Sequence, residues 1–210
     1  FYFVCLRINC YPAKKSAMKA ISVFCGSSSG QQAVYREQAF ELGQYLAQEG
    51  IKLVYGGAKV GLMGAVADGT LAGGGEVIGV LPHFLSAKEI AHPGLTELIL
   101  VDSMHERKQL MNEHCEGVIA LPGGFGTLEE LFEMLTWAQL GLHQKPIGIL
   151  NIAGYYDALV QLLDHMVEQG LLRLTNRQML LVDSSISGLV QQMSDYKPAL
   201  VGKWLDENQT

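Results

Sequence analysis

With 210 residues, 49% hydrophobic and 17% charged, the chain is long enough to bury a full core and too apolar to be a disordered one. Its formal net charge of −6 argues against nucleic acid as the main partner, because a groove that tracks phosphates needs a basic footprint. No apolar run reaches the roughly 18–20 residues of a membrane span, and the four cysteines, none at metal-ligand spacing, read as free thiols in a reducing, cytoplasmic compartment.

Residues 1–17 hold an apolar patch, a proline and two lysines, in the reverse of signal-peptide order. They read as a non-native or disordered leader, a fragment of a targeting segment being the other reading. One domain is expected over residues 18–195, with a tail over 196–210. Ile21–Cys25 predicts a first strand, ending in the loop composition of Gly26–Gly30. Tyr35, Ala39, Leu42 and Leu46 recur at helical spacing, and Gly50 closes that helix. Ile51–Tyr55 predicts a second strand. Gly56-Gly57 and a small-residue helix over Leu62–Ala72 follow, stopped by Gly73–Gly75. Val77–Leu81 is the third strand, His83–Gly94 an irregular stretch with one short helix, and Glu97–Val101 the fourth strand. A helix over Ser103–Cys115 leads to a fifth strand, Gly117–Leu121. Leu128, Leu131, Phe132, Leu135 and Ala138 mark an amphipathic helix. Ile147–Leu150 is the sixth strand, Tyr155–Glu168 a helix, Met179–Val182 the last strand, and a terminal helix starts near Ile186.

Strict β-α alternation with continuously apolar strands predicts a doubly wound, Rossmann-like α/β fold: a mostly parallel sheet of six or seven strands with helices on both faces. That is too few strands for an eight-stranded barrel. Ligands in such folds bind beyond the carboxyl ends of the strands, where strand order reverses. The loops to inspect are therefore Gly26–Gly30, Gly56–Gly64 and Pro122–Thr127.

Residues 122–130 read Pro-Gly-Gly-Phe-Gly-Thr-Leu-Glu-Glu, between an apolar strand and an amphipathic helix. Glycines let the backbone approach a ligand, and a helix start offers unpaired N–H groups at a positive dipole end. Together they predict a phosphate site. The loop lacks the Gly-Lys-Ser/Thr of a Walker loop and the G-x-G-x-x-G dinucleotide fingerprint, so neither ATP nor NAD is indicated. Glu130 has two readings: the distal member of a Thr127–Glu130 capping box, or a carboxylate facing the ligand. The second requires a compensating cation. Arg107 and Lys108 supply candidates near the start of a helix capped by Ser103 and Glu106, where the dipole opposes positive charge; solvated surface charge is the other reading.

These residues bring a family into view. Pro122–Glu130 matches the P-G-G-x-G-T-x-x-E motif of the Lonely Guy family, the cytokinin riboside 5'-monophosphate phosphoribohydrolases, and Met104–Lys108 (MHERK) matches its second motif. Val23–Ser28 and Val60–Gly64 are also similar, and the resemblance spans about Met18 to Leu189. It implies Arg107 and Glu130 as the catalytic pair. It also implies substrate contacts at Glu89, Arg107, Lys108, Gly123, Gly124, Phe125, Gly126, Thr127, Leu128, Glu129, Glu130 and Thr136, with the 5'-phosphate wrapped by Gly124–Thr127. The implied reaction is hydrolysis of a nucleoside 5'-monophosphate to free base and ribose 5-phosphate, with no metal or cofactor, in a homodimer. Members often carry the label lysine decarboxylase, yet no pyridoxal-phosphate lysine is evident here. The family often has three glycines after the second strand; here Ala58 follows Gly56-Gly57, and its methyl is expected to tighten that loop.

An oxocarbenium-like ribose forms as a glycosidic bond breaks, and one carboxylate near it stabilises that charge or orients water. Cys25 and Cys115 read as small buried residues, and His83, His92, His105, His114, His143 and His165 as surface or structural ones. Trp137 reads as core or interface, with Met134–Leu142 as a candidate dimer face. Two rivals stand: a broader purine mononucleotide nucleosidase acting on AMP, and a non-catalytic nucleotide or cofactor carrier on the same fold.

Overall fold

The computed structural model describes residues 18–86 and 90–198. Aliphatic runs become strands wherever a helix end or a glycine releases the chain. β1 (Ala20–Phe24), α1 (Ala33–Gln48), β2 (Lys52–Tyr55), α2 (Gly61–Ala72), β3 (Val77–Pro82) and a one-turn α3 (His83–Ser86) form the first half. β4 (Glu97–Val101), α4 (Met104–Glu113), β5 (Gly117–Ala120), α5 (Phe125–Gln139) and β6 (Ile147–Leu150) follow. A 3₁₀ turn (Ile152–Gly154), α6 (Asp157–Glu168), α7 (Leu174–Arg177), β7 (Leu180–Asp183) and α8 (Ile186–Asp195) complete it. Gly50, at φ 68° just past the end of α1, takes the left-handed conformation that releases the chain into β2.

All seven strands are parallel, in the order β4-β3-β2-β1-β5-β6-β7. The expected doubly wound sheet is therefore present, at the upper of the two strand counts. Alternation along β1 sends Ile21 and Val23 to one face and Ala20 and Phe24 to the other. The first face is covered by α1, α2 and α8 through Leu42, Leu46, Leu62, Val66, Leu189 and Met193. The second is covered by α4, α5 and α6 through Met111, Leu131, Met134 and Leu163. α1 and α2 pack backbone to backbone: a Cβ at Gly43 would lie 2.2 Å from Val66 O, and one at Gly69 only 2.0 Å from Phe40 O.

The chain winds outward from β1 to β4 and then returns to place β5 on the other side of β1. The crevice at the carboxyl ends of β1 and β5 is thus the switch point where ligands bind in this architecture. Two details differ from expectation. The helix expected from Tyr155 starts at Asp157, because the Tyr156 N–H bonds Asn151 Oδ1 at 2.7 Å and Ala153 is left-handed at φ 50°. The one-turn α7 and the 3₁₀ turn carry no periodic apolar signal and were not foreseen. The leader over residues 1–17, Cys5 and Cys10 within it, Glu89, and most of the tail lie outside the described residues. Among the described residues no helix is long and apolar enough to cross a membrane.

Candidate active site

A cleft of about 460 Å³ crosses the carboxyl edge of the sheet from β5 to β3. Cys25, Gly26 and Ser27 enter it from the end of β1, Gly56, Ala58 and Val60 from the end of β2, and Gly124–Thr127, Glu129 and Glu130 from α5. Met63, Leu81, Leu85, Ile90 and Met104 supply apolar lining near the Arg107 guanidinium, which bonds β3 through Val80 O. Ala58 is buried and forms an isolated antiparallel bridge with Ala91, so the loop after β2 is tied to the segment before β4.

The start of α5 decides between the two readings of Glu130. Gly124 is the N-cap and makes no side-chain cap bond, so the helix begins at Phe125 and Thr127 lies in its first turn. The Thr127–Glu130 capping box is therefore absent. A glycine cap has no side chain to announce it, which is why the pattern pointed to Thr127. Among the described residues, the N–H groups of Gly124, Phe125, Gly126 and Thr127 have no backbone acceptor, and neither Gly124 nor Gly126 has anything within 4 Å of where a Cβ would stand. This is an open helix N-terminus with its donors free for an anion.

Glu130 is instead the carboxylate of a buried ion pair. Its Oε1 lies 3.3 Å from Arg107 Nη1, with Arg107 9% and Glu130 8% exposed. Arg107 arrives from the first turns of α4, whose cap is as expected: Ser103 Oγ accepts from the Glu106 N–H at 3.1 Å. The Glu106 carboxylate reaches one residue further back than a capping box requires, to the Asp102 N–H at 2.9 Å. The Arg107 Nε–H donates to Val80 O at 3.2 Å, Nη1 touches Met104 Sδ at 3.9 Å, and Nη2 presses on Gly56. Burial pushes the Glu130 carboxyl above the usual glutamate range, with the Arg107 guanidinium pulling the other way. Burial likewise raises the Cys25 thiol on the cleft floor, with Glu130 adding to the shift. Cys25 and Cys115 are both free and buried, as expected.

The implied site residues divide into groups. Arg107, Gly124, Phe125, Gly126, Thr127, Glu129 and Glu130 line the cleft. Phe125 stands 93% exposed at its mouth. Gly123 lines an adjoining hollow on the other side of the loop, with Ser27–Gly30, Tyr35 and Tyr155. Leu128 packs against the core. Lys108 does not line the cleft; its Nζ is held at 2.7 Å by Glu129 and at 3.0 Å by Glu133. Thr136 sits in a separate apolar hollow between α5, α6 and α7, its Oγ1 donating to Phe132 O at 2.7 Å. Sequence reasoning missed Cys25, Ser27, Gly56, Met63, Leu81 and Met104 as walls of the cleft. The loops of Ser27, Gly56 and Met63 were marked, whereas Cys25, Leu81 and Met104 lie in elements outside them; which residue faces a cleft across four strands is a through-space property. The histidines are structural or exposed: His92 is tied to Asp68 at 3.0 Å, and His143 is held by Met134 O at 3.0 Å, burial depressing its pKa.

Residues 63–193 match the family model described as "Possible lysine decarboxylase". The chain is 46% identical, over 184 residues, to cytokinin riboside 5'-monophosphate phosphoribohydrolase LOG1 of Arabidopsis thaliana, covering 88% of this chain and 86% of that one. The chain belongs to this phosphoribohydrolase family. A second member, LOG4 of Arabidopsis thaliana, is 43% identical over 193 residues, covering 92% and 90%. The fold is shared more widely. The molybdenum cofactor binding protein of Rippkaea orientalis aligns with a TM-score of 0.64 at 22% identity, covering 84% of this chain and 95% of that one. The molybdenum cofactor carrier protein of Chlamydomonas reinhardtii gives 0.64 at 20%, covering 84% and 98%.

Proposed function

We propose that this protein hydrolyses the N-glycosidic bond of a cytokinin nucleoside 5'-monophosphate, giving free base and ribose 5-phosphate. The carrying observation is the buried Arg107–Glu130 pair below the open start of α5, in a chain 41–46% identical to relatives named for this reaction. The 5'-phosphate lies against the N–H groups of Gly124–Thr127 and the Thr127 hydroxyl. Six residues at 1.5 Å each put the Glu130 Cα about 9 Å along the axis from Gly124, and its side chain leans back toward the loop. The ribose then fills the gap between phosphate and carboxylate. Binding the distant phosphate fixes C1' over Glu130, so orientation is prepaid before the bond breaks.

As the glycosidic bond lengthens, positive charge grows on the ribose, and the Glu130 carboxylate, poorly solvated, stabilises it more than it stabilises the neutral ground state. The same carboxylate orients the water that completes the reaction. Arg107 keeps Glu130 ionised and aimed, and its guanidinium faces the departing base. Lys108 reaches the nucleotide only by leaving Glu129, and Glu89 and Thr136 are retained as further contacts on the resemblance alone.

The apolar lining by Met63, Leu81, Leu85, Ile90 and Met104 supports a base with an apolar substituent over AMP. Isopentenyladenosine 5'-monophosphate is therefore expected to outcompete AMP in kcat/KM when both are assayed for released base; equal values would move the reading to the broader nucleosidase. The proposed assembly is a homodimer through the Met134–Leu142 face, supported by Leu142 at 48% exposure and a half-buried Trp137. A cytoplasmic location fits the two buried free thiols.

A further inference from the structure

The loop that presents the start of α5 is held by its carbonyl groups. Pro122 O accepts from the Gly26 N–H at 3.0 Å, and Leu121 O accepts from the Tyr156 hydroxyl at 2.6 Å. Gly123 O accepts from the Tyr155 hydroxyl, also at 2.6 Å. Three successive carbonyls are thus turned by three donors. In a trans peptide the C=O of one residue and the N–H of the next point in opposite directions. Fixing Gly123 O on the Tyr155 hydroxyl therefore fixes the opposite direction of the Gly124 N–H, at a residue that borders both the Tyr155 hollow and the Arg107–Glu130 cleft.

The chain goes out of its way to deliver these two hydroxyls. Ala153 is the one non-glycine residue at positive φ among the described residues, at φ 50° and ψ 32°, and Gly154 follows at φ 73°. An alanine disfavours this conformation, because its Cβ crowds the backbone. The turn is held by Asn151, whose Oδ1 accepts from the Tyr156 N–H and whose Nδ2 donates to Asp157 Oδ1, both at 2.7 Å. Tyr155 is braced edge-on by Tyr35 at 5.8 Å and by Tyr156 at 5.0 Å between ring centroids. Local strain kept in place by surrounding contacts is a mark of a functional position.

We propose that Tyr155 is a positioning residue for the phosphate: by holding Gly123 O it aims the Gly124 N–H and the first turn of α5 at the ligand. Tyr156 is the buried anchor of the same device; Tyr155, at 43% exposure, is the member that can be altered without opening the core. The inference rests on the proposed phosphate site but not on catalysis.

The test is Tyr155→Phe, which removes only the hydroxyl and keeps the ring contacts. Inorganic phosphate and AMP binding are measured by calorimetry on wild type and variant, alongside KM and kcat for the nucleotide. The expected result is a weakening of phosphate and nucleotide binding by about 3–10-fold, the effect of one ordinary hydrogen bond, with kcat and the melting temperature little changed. Activity on the matching nucleoside, which has no phosphate, should be the same in both proteins. Unchanged phosphate binding would overturn the inference while leaving the hydrolase reading intact, and so would an equal loss on nucleotide and nucleoside. If the wild type binds isopentenyladenosine 5'-monophosphate but releases no base from it, the hydrolase reading fails and the calorimetry still decides the role of Tyr155.

Discussion

Gly56→Ala adds a single methyl group at the most crowded point of the site. The new Cβ would lie 2.0 Å from Arg107 Nη2 and 2.5 Å from Met63 Cε. Ordinary carbon contacts start near 3.5 Å, so the guanidinium must retreat by about 1.5 Å. It has little room to do so, because Nε is bonded to Val80 O at 3.2 Å and Nη1 is paired with Glu130 at 3.3 Å. A shift of that size breaks at least one of these contacts, and about 1 Å of misplacement near a reacting centre costs on the order of 10²-fold in rate. The neighbour that gives way is a side-chain end rather than backbone, so the fold should survive with a loss of about 1–3 kcal/mol. The assay is base release at saturating nucleotide, with thermal melts to confirm folding. Arg107→Lys in both backgrounds completes a cycle: without Nη2 the methyl's closest clash is gone and only the flexible end of Met63, at 2.5 Å, must yield, so the two losses should be non-additive. Gly56→Ala with wild-type kcat, or simple additivity with Arg107→Lys, would refute the reasoning.

Four further outcomes are expected. Burial raises the Glu130 pKa above its ordinary 4.5, so base release, which needs the carboxylate, should be lost as pH falls through that raised value; an acid limb of kcat/KM at or below 4.5 would contradict this. The fold disfavours the charged form, so the stability Glu130 contributes is full below its unfolded pKa and is lost as pH rises through the folded one; Glu130→Gln should therefore gain on the wild type across that window in denaturant titrations at stepped pH. Thr127→Val keeps the shape of a buried residue but removes the hydroxyl offered to phosphate, and should raise KM about tenfold or more, as loss of a hydrogen bond to a charged group does, with little change in melting temperature. Sedimentation should give twice the 22.9 kDa chain mass, reduced to the monomer by Leu142→Glu; a wild-type monomer would remove the proposed Met134–Leu142 interface.

The strands were legible because a parallel sheet covered on both faces needs continuous apolar runs, and these stand between glycines in the chain. Even β4, an edge strand with Glu97 and Leu98 exposed, was readable from its aliphatic run. The Ser103 cap was legible because its signal is a side chain. The start of α5 was not: a glycine N-cap has none, so Thr127 and Glu130 took on a capping role that the structure does not give them. Arg107 and Glu130 could be named from sequence as a pair, yet the distance and burial of that pair depend on α4 and α5 flanking β5, and the closeness of Gly56 to Arg107 depends on strand order. Lys108 shows the limit from the other side. Being next to Arg107 in sequence places it about 100° around the helix, and Glu129 and Glu133 hold it there. The roles of Tyr155 and Tyr156 depend on a left-handed alanine that no local pattern announces.

The central claim is that Glu130, held by Arg107, breaks the glycosidic bond of a nucleotide seated on α5. The most direct measurement is chromatographic detection of free base from isopentenyladenosine 5'-monophosphate with wild type, Glu130→Gln and Arg107→Ala, each also titrated with nucleotide by calorimetry. The expected result is base release by the wild type alone, with Glu130→Gln still binding the nucleotide. Binding without release in the wild type, or release undiminished in Glu130→Gln, would contradict it.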